Sequence, residues 1–188
     1  TIFINHTFAF AALWSFAGNV DAASQTKFDE FIRTALSTAV LFPGSSAPIF
    51  EFFVERDGGF RPWEEVTPTF VYKEHVPYFQ LVVPTLDTCR FSFLLQSLLS
   101  VDKAVLFSGV TGVGKTAIVN DVLSRMELAG SVVPLNINFS AQTTSIATQE
   151  IFESKLEKKR KTRLGAPMGK RVVCFVDDVN MPAREVFG

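Results

Sequence analysis

Gly109-Val110-Thr111-Gly112-Val113-Gly114-Lys115-Thr116 decides the fold, because it spells the G-x-x-x-x-G-K-[ST] pattern in which a backbone curls around phosphate. Glycines at 109, 112 and 114 let the chain turn tightly enough for N–H groups, with a helix start behind them, to face an anion. Val110, Thr111 and Val113 lend their backbone to the same cradle. Lys115 supplies a mobile cation for the β- and γ-phosphates, and Thr116 a hard hydroxyl oxygen for Mg²⁺. The flanks have the required form. Residues 104–108 are a short apolar run of strand formers, and residues 117–123 continue with helical spacing.

Working outward, residues 172–176 are five consecutive apolar residues, which predicts a parallel strand buried on both faces. That strand ends at Asp177-Asp178, at the carboxyl edge where open α/β sheets take their ligands. Asp177 is expected to accept hydrogen bonds from Mg²⁺-bound water or from Thr116, and Asp178 to orient or deprotonate an attacking water. Without the glycine-rich loop, two acids after a strand would read as a solvated turn. With it, ATP or ADP with Mg²⁺ is the implied ligand set. Residues 132–139 read as a neighbouring strand, with Pro134 required at its start. The fold class is therefore α/β, a partial parallel sheet flanked by helices.

The rest of the chain frames this module. A chain of 188 residues that is 47% hydrophobic and 20% charged can bury one good core or two small ones, and it is not a disordered composition. Twenty Phe against two Tyr and two Trp predict an apolar core, or surface covered by neighbouring protein. Asn5 or Thr7 is expected to cap a helix ending at Gly18 and packed on more than one side. Asp21 or Ser24 should cap a second helix with Phe28, Phe31, Ile32, Ala35 and Leu36 inward and Lys27, Asp29, Glu30 and Arg33 outward. Residues 49–55 and 60–63 read as a hairpin around Gly58-Gly59, with Phe50, Phe52 and Val54 on one face.

Residues 67–84 read as extended chain anchored by Tyr72, Tyr78 and Phe79. Asp87 or Thr85 should cap a helix carrying Phe91, Leu94, Leu95, Leu98 and Leu99, with Arg90 three residues after Asp87. Ser140, Thr143 or Thr144 should cap another that buries Ile146, Ile151, Phe152 and Leu156. The apolar opening is broken by Asn5, His6 and Ser15 and falls short of a membrane span, so no membrane role is expected. Cys89 and Cys174 read as inert thiols in a reducing compartment, and neither His6 nor His75 has a partner at metal-ligand spacing. The lack of an initiating Met suggests an excerpt of a longer polypeptide.

With both nucleotide motifs in view, three further segments carry a resemblance. They are Asn138-Phe139-Ser140-Ala141-Gln142, Gly165-Ala166-Pro167-Met168-Gly169-Lys170, and residues 175–182 with Val179-Asn180-Met181-Pro182 after the acidic pair. Together they resemble the dynein heavy chains, AAA+ motors of microtubules. Val83-Pro84-Thr85-Leu86-Asp87-Thr88 followed by Arg90 looks like the approach to the third of six AAA modules, the Phe-rich opening like the trailing helices of the second, and Met181-Pro182 favours an axonemal chain.

The resemblance implies three regions: 1–42, trailing lid helices; 43–81, a hairpin and extended linker; and 82–188, the first part of an AAA+ large subdomain. It makes residues 109–116 the Walker A loop, Asp177 and Asp178 the Walker B pair, and Val82 and Val83 the backbone beside adenine. It implies a module that binds ATP and regulates a motor driving ciliary or flagellar movement. Its partners would be neighbouring AAA modules of the same chain, and intermediate chains, light chains and microtubules through the parent protein, in the cytoplasm and axoneme. Where the AAA+ pattern has glutamate, this chain has Asp178, one methylene shorter. Slow or regulatory hydrolysis therefore fits this chain better than fast turnover, with nucleotide binding without hydrolysis as the alternative, and this segment alone is expected to be inactive. The rival class is another P-loop ATPase that remodels nucleic acid or protein.

The charge distribution bears on that rival. Residues 155–171 hold eight basic residues and one acid, for +7, while the remainder of the chain carries −8. No aromatic residue interleaves the basic run, so nucleic acid is not the expected partner. A solvated helix end with a hairpin, touching another part of the same ring or else an acidic protein, is the reading.

Overall fold

The computed structural model describes residues 2–44, 46–72, 74 and 81–184. The chain divides into two compact units, Thr1–Val71 with Pro84–Arg90, and Tyr72–Val83 with Phe91–Gly188.

In the first unit, helix α1 (Ile2–Ala17) runs straight through Asn5 and Thr7 instead of starting there. The Asn5 amide is used elsewhere, donating to the Ala39 carbonyl at 3.0 Å. One stripe of α1 is buried, His6, Ala9, Leu13 and Ala17, at the three- and four-residue spacing of a single helix face. Phe3, Phe8 and Phe16 are exposed, so among the described residues α1 is packed on one side and not on several. Helix α2 (Ala22–Ala35) is capped by Asp21, whose Oδ1 accepts from the Ser24 N–H at 2.8 Å.

The inward face of α2 departs from the expected one. Asp29 is buried beside Ile32, whereas Phe31 is exposed. The reason is that the chain after α2 folds back over Asp29. The carboxylate accepts from Arg33 Nε at 2.8 Å and from the Ile49 N–H at 2.5 Å, while Arg33 also donates to the carbonyls of Pro43 and Ala47, both at 3.0 Å. A core of Leu13, Ala17, Ile32, Ile49 and Phe50 closes the unit, with the Trp14 ring edge-on to Phe50.

Ile49–Glu51 forms a 3₁₀ turn, so strand β1 (Phe52–Val54) starts later than expected and Phe50 does not share its face. It pairs antiparallel with β2 (Phe60–Pro62) in the register Phe52↔Pro62, Phe53↔Arg61 and Val54↔Phe60. Pro62 lacks a ladder donor and ends the strand, and Trp63 opens a short helix, α3 (Trp63–Val66). His6 fills a structural place here. Its Nδ1 lies 2.7 Å from the Gly58 carbonyl and its Nε2 accepts from the Leu41 N–H at 3.3 Å, which satisfies both ring nitrogens in the Nδ1–H tautomer. Tyr72 is exposed, so among the described residues it does not serve as an anchor; Tyr78, Phe79 and His75 lie outside the described residues.

Helix α4 (Leu86–Ser100) is capped by Thr85, whose Oγ1 accepts from the Thr88 N–H at 3.2 Å while the Thr88 hydroxyl accepts from the Thr85 N–H at 2.7 Å. Asp87 lies inside the helix. Arg90, in the first unit, reaches past its local partner Asp87 (3.7 Å) to both Glu51 oxygens at 3.2 Å.

The second unit is built on α5 (Lys115–Leu128), which buries Ile118, Val119, Val122 and Leu123, the last three clustered with Leu95 of α4. Strand β3 (Val132–Asn138) pairs in parallel with β6 (Arg171–Asp177), from Val132↔Arg171 to Asn138↔Asp177. Between them run α6 (Ser145–Ser154), capped by Thr144, and a hairpin of β4 (Glu157–Arg160) and β5 (Arg163–Gly165). Such a crossover is what a parallel pair requires. No helix among the described residues is long and apolar enough to cross a membrane.

Several expectations fail here for one reason. Residues 104–108 belong to no strand ladder among the described residues, although their alternation is a strand's: Val105 and Phe107 pack on the α5 core while Leu106 is 80% exposed. Strand β6 is half-buried along its length, Cys174 is exposed, α6 buries none of Ile146, Ile151 and Phe152, and Leu156 lies past the end of α6 and is half-buried. Apolar sequence reports what a segment can bury, and these faces have no described neighbour. Pro134 sits third in β3, opposite Val173, and is tolerated because β3 has one strand neighbour among the described residues.

Candidate functional site

The loop before α5 takes the shape that its glycines permit. Gly112 (φ +83°) and Gly114 (φ +87°) are left-handed, and a Cβ built at either meets nothing within 4 Å. Conformation and not crowding therefore requires glycine there. Gly114 is also the residue preceding α5, and α5, unlike α2, α4 and α6, has no side chain capping its first turn. Its leading N–H groups face the loop without a side-chain acceptor, the arrangement in which a helix start receives an anion.

Lys115 folds back over the loop, its ammonium donating to the carbonyls of Gly109 at 3.0 Å and Val110 at 2.7 Å. Phosphate oxygens are stronger, charged acceptors for the same donor. The next residue reaches the acidic strand end: Thr116 Oγ1 donates to Asp177 Oδ2 at 2.7 Å, across 61 residues of chain. Asp177 is held on every side. Its Oδ1 accepts from the Asp178 N–H at 3.1 Å, and its carbonyl accepts from the Phe139 N–H at 3.1 Å, extending the β3–β6 ladder by one rung.

Asp178 turns the chain away from the sheet. Its φ of +53° is one of two positive values at described non-glycine residues, the other being Asp102, and its carbonyl accepts from the Met181 N–H at 2.9 Å. Aspartate is among the few residues that tolerate this region. Val82 is half-buried and Val83 is 53% exposed, in a segment outside any helix or strand. No hydrogen bond ties either to the loop among the described residues. Cys174, midway along β6, has its thiol pushed above the ordinary value by partial desolvation.

Two supports escaped sequence reasoning. Asn136 of β3 donates through Nδ2 to Asn120 Oδ1 of α5 at 3.2 Å, and Arg171 at the start of β6 is ion-paired with Asp102, just past α4. Both fix the elements that carry Thr116 and Asp177. Nothing local in the sequence marks either pair, since each partner is an ordinary polar residue until the fold brings it to the other.

The donor chemistry fits a nucleotide with a hard divalent cation. Thr116 and Asp177 offer two oxygens at one point, beside an open glycine cradle and a mobile ammonium. No group of three or more His, Cys, Asp or Glu converges among the described residues. Mg²⁺ needs no such cage, because it is usually bound through one or two protein oxygens, phosphates and water.

Comparison with known proteins agrees at both ends of the chain. Residues 1–65 match the model of the dynein heavy chain AAA lid domain, and residues 70–188 match that of the P-loop containing dynein motor region. The chain is similar to dynein axonemal heavy chain 6 of Homo sapiens, at 45% identity over 97% of this chain and 4% of that protein. It is similar to the dynein-1-beta heavy chain of the flagellar inner arm I1 complex of Chlamydomonas reinhardtii, at 39% over 96% and 4%. Dynein axonemal heavy chain 3 of Mus musculus aligns at 36% over 100% and 5%. The chain thus spans only a small fraction of the length of these relatives.

Proposed function

The chain belongs to the dynein heavy chains, with the α/β P-loop fold and N-terminal helical lid of their AAA modules, and we propose that it binds ATP and Mg²⁺ as a regulatory AAA segment of an axonemal heavy chain. Within that proposal, residues 1–42 are the trailing helices of the second module, 43–81 the connector, and 82–188 the first part of the third. The motor acts on microtubules in the cilium or flagellum. Neighbouring AAA modules are the direct partners, and intermediate and light chains associate through the parent protein.

The observation that carries the reading is the Thr116–Asp177 hydrogen bond, which joins the phosphate-loop helix to the end of the parallel strand pair at one point. Bound ATP would supply a phosphoanhydride whose terminal phosphoryl group can be transferred to water. The protein's own share is positional. The 109–114 backbone and the start of α5 present N–H groups to phosphate, and Lys115 exchanges its loop carbonyls for phosphate oxygens. Thr116 and Asp177 would hold the cation beside the phosphates, and Val82 and Val83 would border the adenine. Asp178 is the group proposed to orient or accept a proton from water. A second reading, binding without hydrolysis, is favoured by Asp178 being a short side chain on a left-handed backbone.

The test is a double-mutant cycle in the complete heavy chain, with Thr116→Ala, Asp177→Asn and both, titrating labelled ATP with and without Mg²⁺. A coupling of about 1 kcal/mol that requires Mg²⁺ is expected. Additive effects, equal with and without the cation, would remove both residues from the metal side.

A further inference from the structure

The β4–β5 hairpin stands outside the buried core of the second unit. All four residues of β4 are exposed, as are Arg163 and Leu164, and no other strand pairs with either among the described residues. Its charge is one-sided, and its single acid is already engaged. Lys159 Nζ donates to Glu157 Oε2 at 2.7 Å, with the lysine stem lying over Gly165, where an added Cβ would come within 3.2 Å of it. Lys158, Arg160, Lys161 and Arg163 have no acidic partner among the described residues.

The register concentrates this charge. Arg160 lies directly opposite Arg163, and Lys161 occupies the turn that joins them. Like charges directly across a strand pair weaken it. A ribbon of two short strands with such a pair at its tip is therefore less stable alone than when carboxylates lie against it. Planar guanidinium forks also suit carboxylates in a way that single ammonium charges do not.

We infer that the β4–β5 tip is a docking surface for a carboxylate-rich polypeptide segment. Charge complementarity selects the sign of the partner, and two features select protein over nucleic acid. No aromatic residue occurs from 153 to 173 to stack a base. Leu164, half-exposed beside the cations, offers an apolar contact that a phosphate backbone would not use. This inference does not depend on the nucleotide reading, since none of its residues belongs to that site.

The experiment uses the heavy chain and a fluorescein-labelled oligoglutamate peptide, read by anisotropy at low and physiological salt. The triple substitution R160Q/K161Q/R163Q should weaken binding about tenfold, and salt should narrow the difference. Glu157→Gln should tighten binding about twofold by freeing Lys159, a direction that damage to folding would not produce. An oligonucleotide of equal charge should bind less tightly than the peptide. An unchanged affinity in the triple variant, no tightening with Glu157→Gln, or tighter binding of the oligonucleotide would each overturn the assignment.

Discussion

At the residue scale, Asp178 carries the most information per atom. Its left-handed backbone puts it in the small class of residues that adopt such a φ at low cost, and Asn is the only other ordinary side chain of its shape in that class. Asp178→Asn therefore tests the carboxylate without disturbing the turn that Met181 closes. Nucleotide binding should be preserved, and hydrolysis at this module should fall by at least about a hundredfold if the carboxylate positions water. Asp178→Glu restores the reach of the usual AAA+ acid but places a less tolerant residue at φ +53°. A faster chemical step with lower stability is expected. Single-turnover phosphate release, with hydrolysis at other modules disabled, reads both variants. A rate unchanged by the asparagine would make Asp178 a turn residue and leave a binding-only switch.

At the scale of elements, the phosphate loop and its helix were legible because their constraints are local. Glycine at 112 and 114, Lys115, Thr116 and the helix after them lie within a few residues of one another. Asp177 was legible by its place at the end of an apolar run. The sequence of α2 predicts a polar face turned outward because Asp29 and Arg33, four residues apart, look like a solvated pair. What buries Asp29 is the segment that returns at Ile49, and no local pattern announces that. Asp29→Ala should cost about 1–3 kcal/mol by orphaning the Ile49 N–H and freeing Arg33, more than a surface pair would. Urea unfolding monitored at Trp14 and Trp63 would show it. The Asp21 cap makes a second test. Hydrogen bonds from Ser24 hold its carboxyl below the ordinary value. Its stabilisation is therefore present above the unfolded-state value and is lost as pH falls through the lowered one. Asp21→Ala should be destabilising at neutral pH and nearly silent in strong acid.

At the scale of the whole molecule, two cores with different memberships imply two separable responses. One is centred on Leu13, Ile32 and Phe50, the other on Leu95, Val119 and Leu123. Nucleotide contacts the second alone under this account. Hydrogen exchange should therefore slow in α5 and at the end of β6 when ATP is added, while α1 and α2 keep their rates. The parts of the fold that the sequence overstated were the faces of 104–108, β6 and α6, all apolar enough to be covered and all without a described neighbour. Burial is a property of the assembled surroundings, whereas a motif is a property of a few adjacent residues.

The central claim is that residues 109–116 hold nucleotide phosphate, and titration of labelled ATP into the heavy chain, with the other nucleotide sites disabled, tests it most directly. Lys115→Ala removes a charge-assisted donor at the phosphates, so affinity at this module should fall about tenfold to a hundredfold relative to the unaltered chain. Equal affinities with and without the Lys115 ammonium would contradict the account.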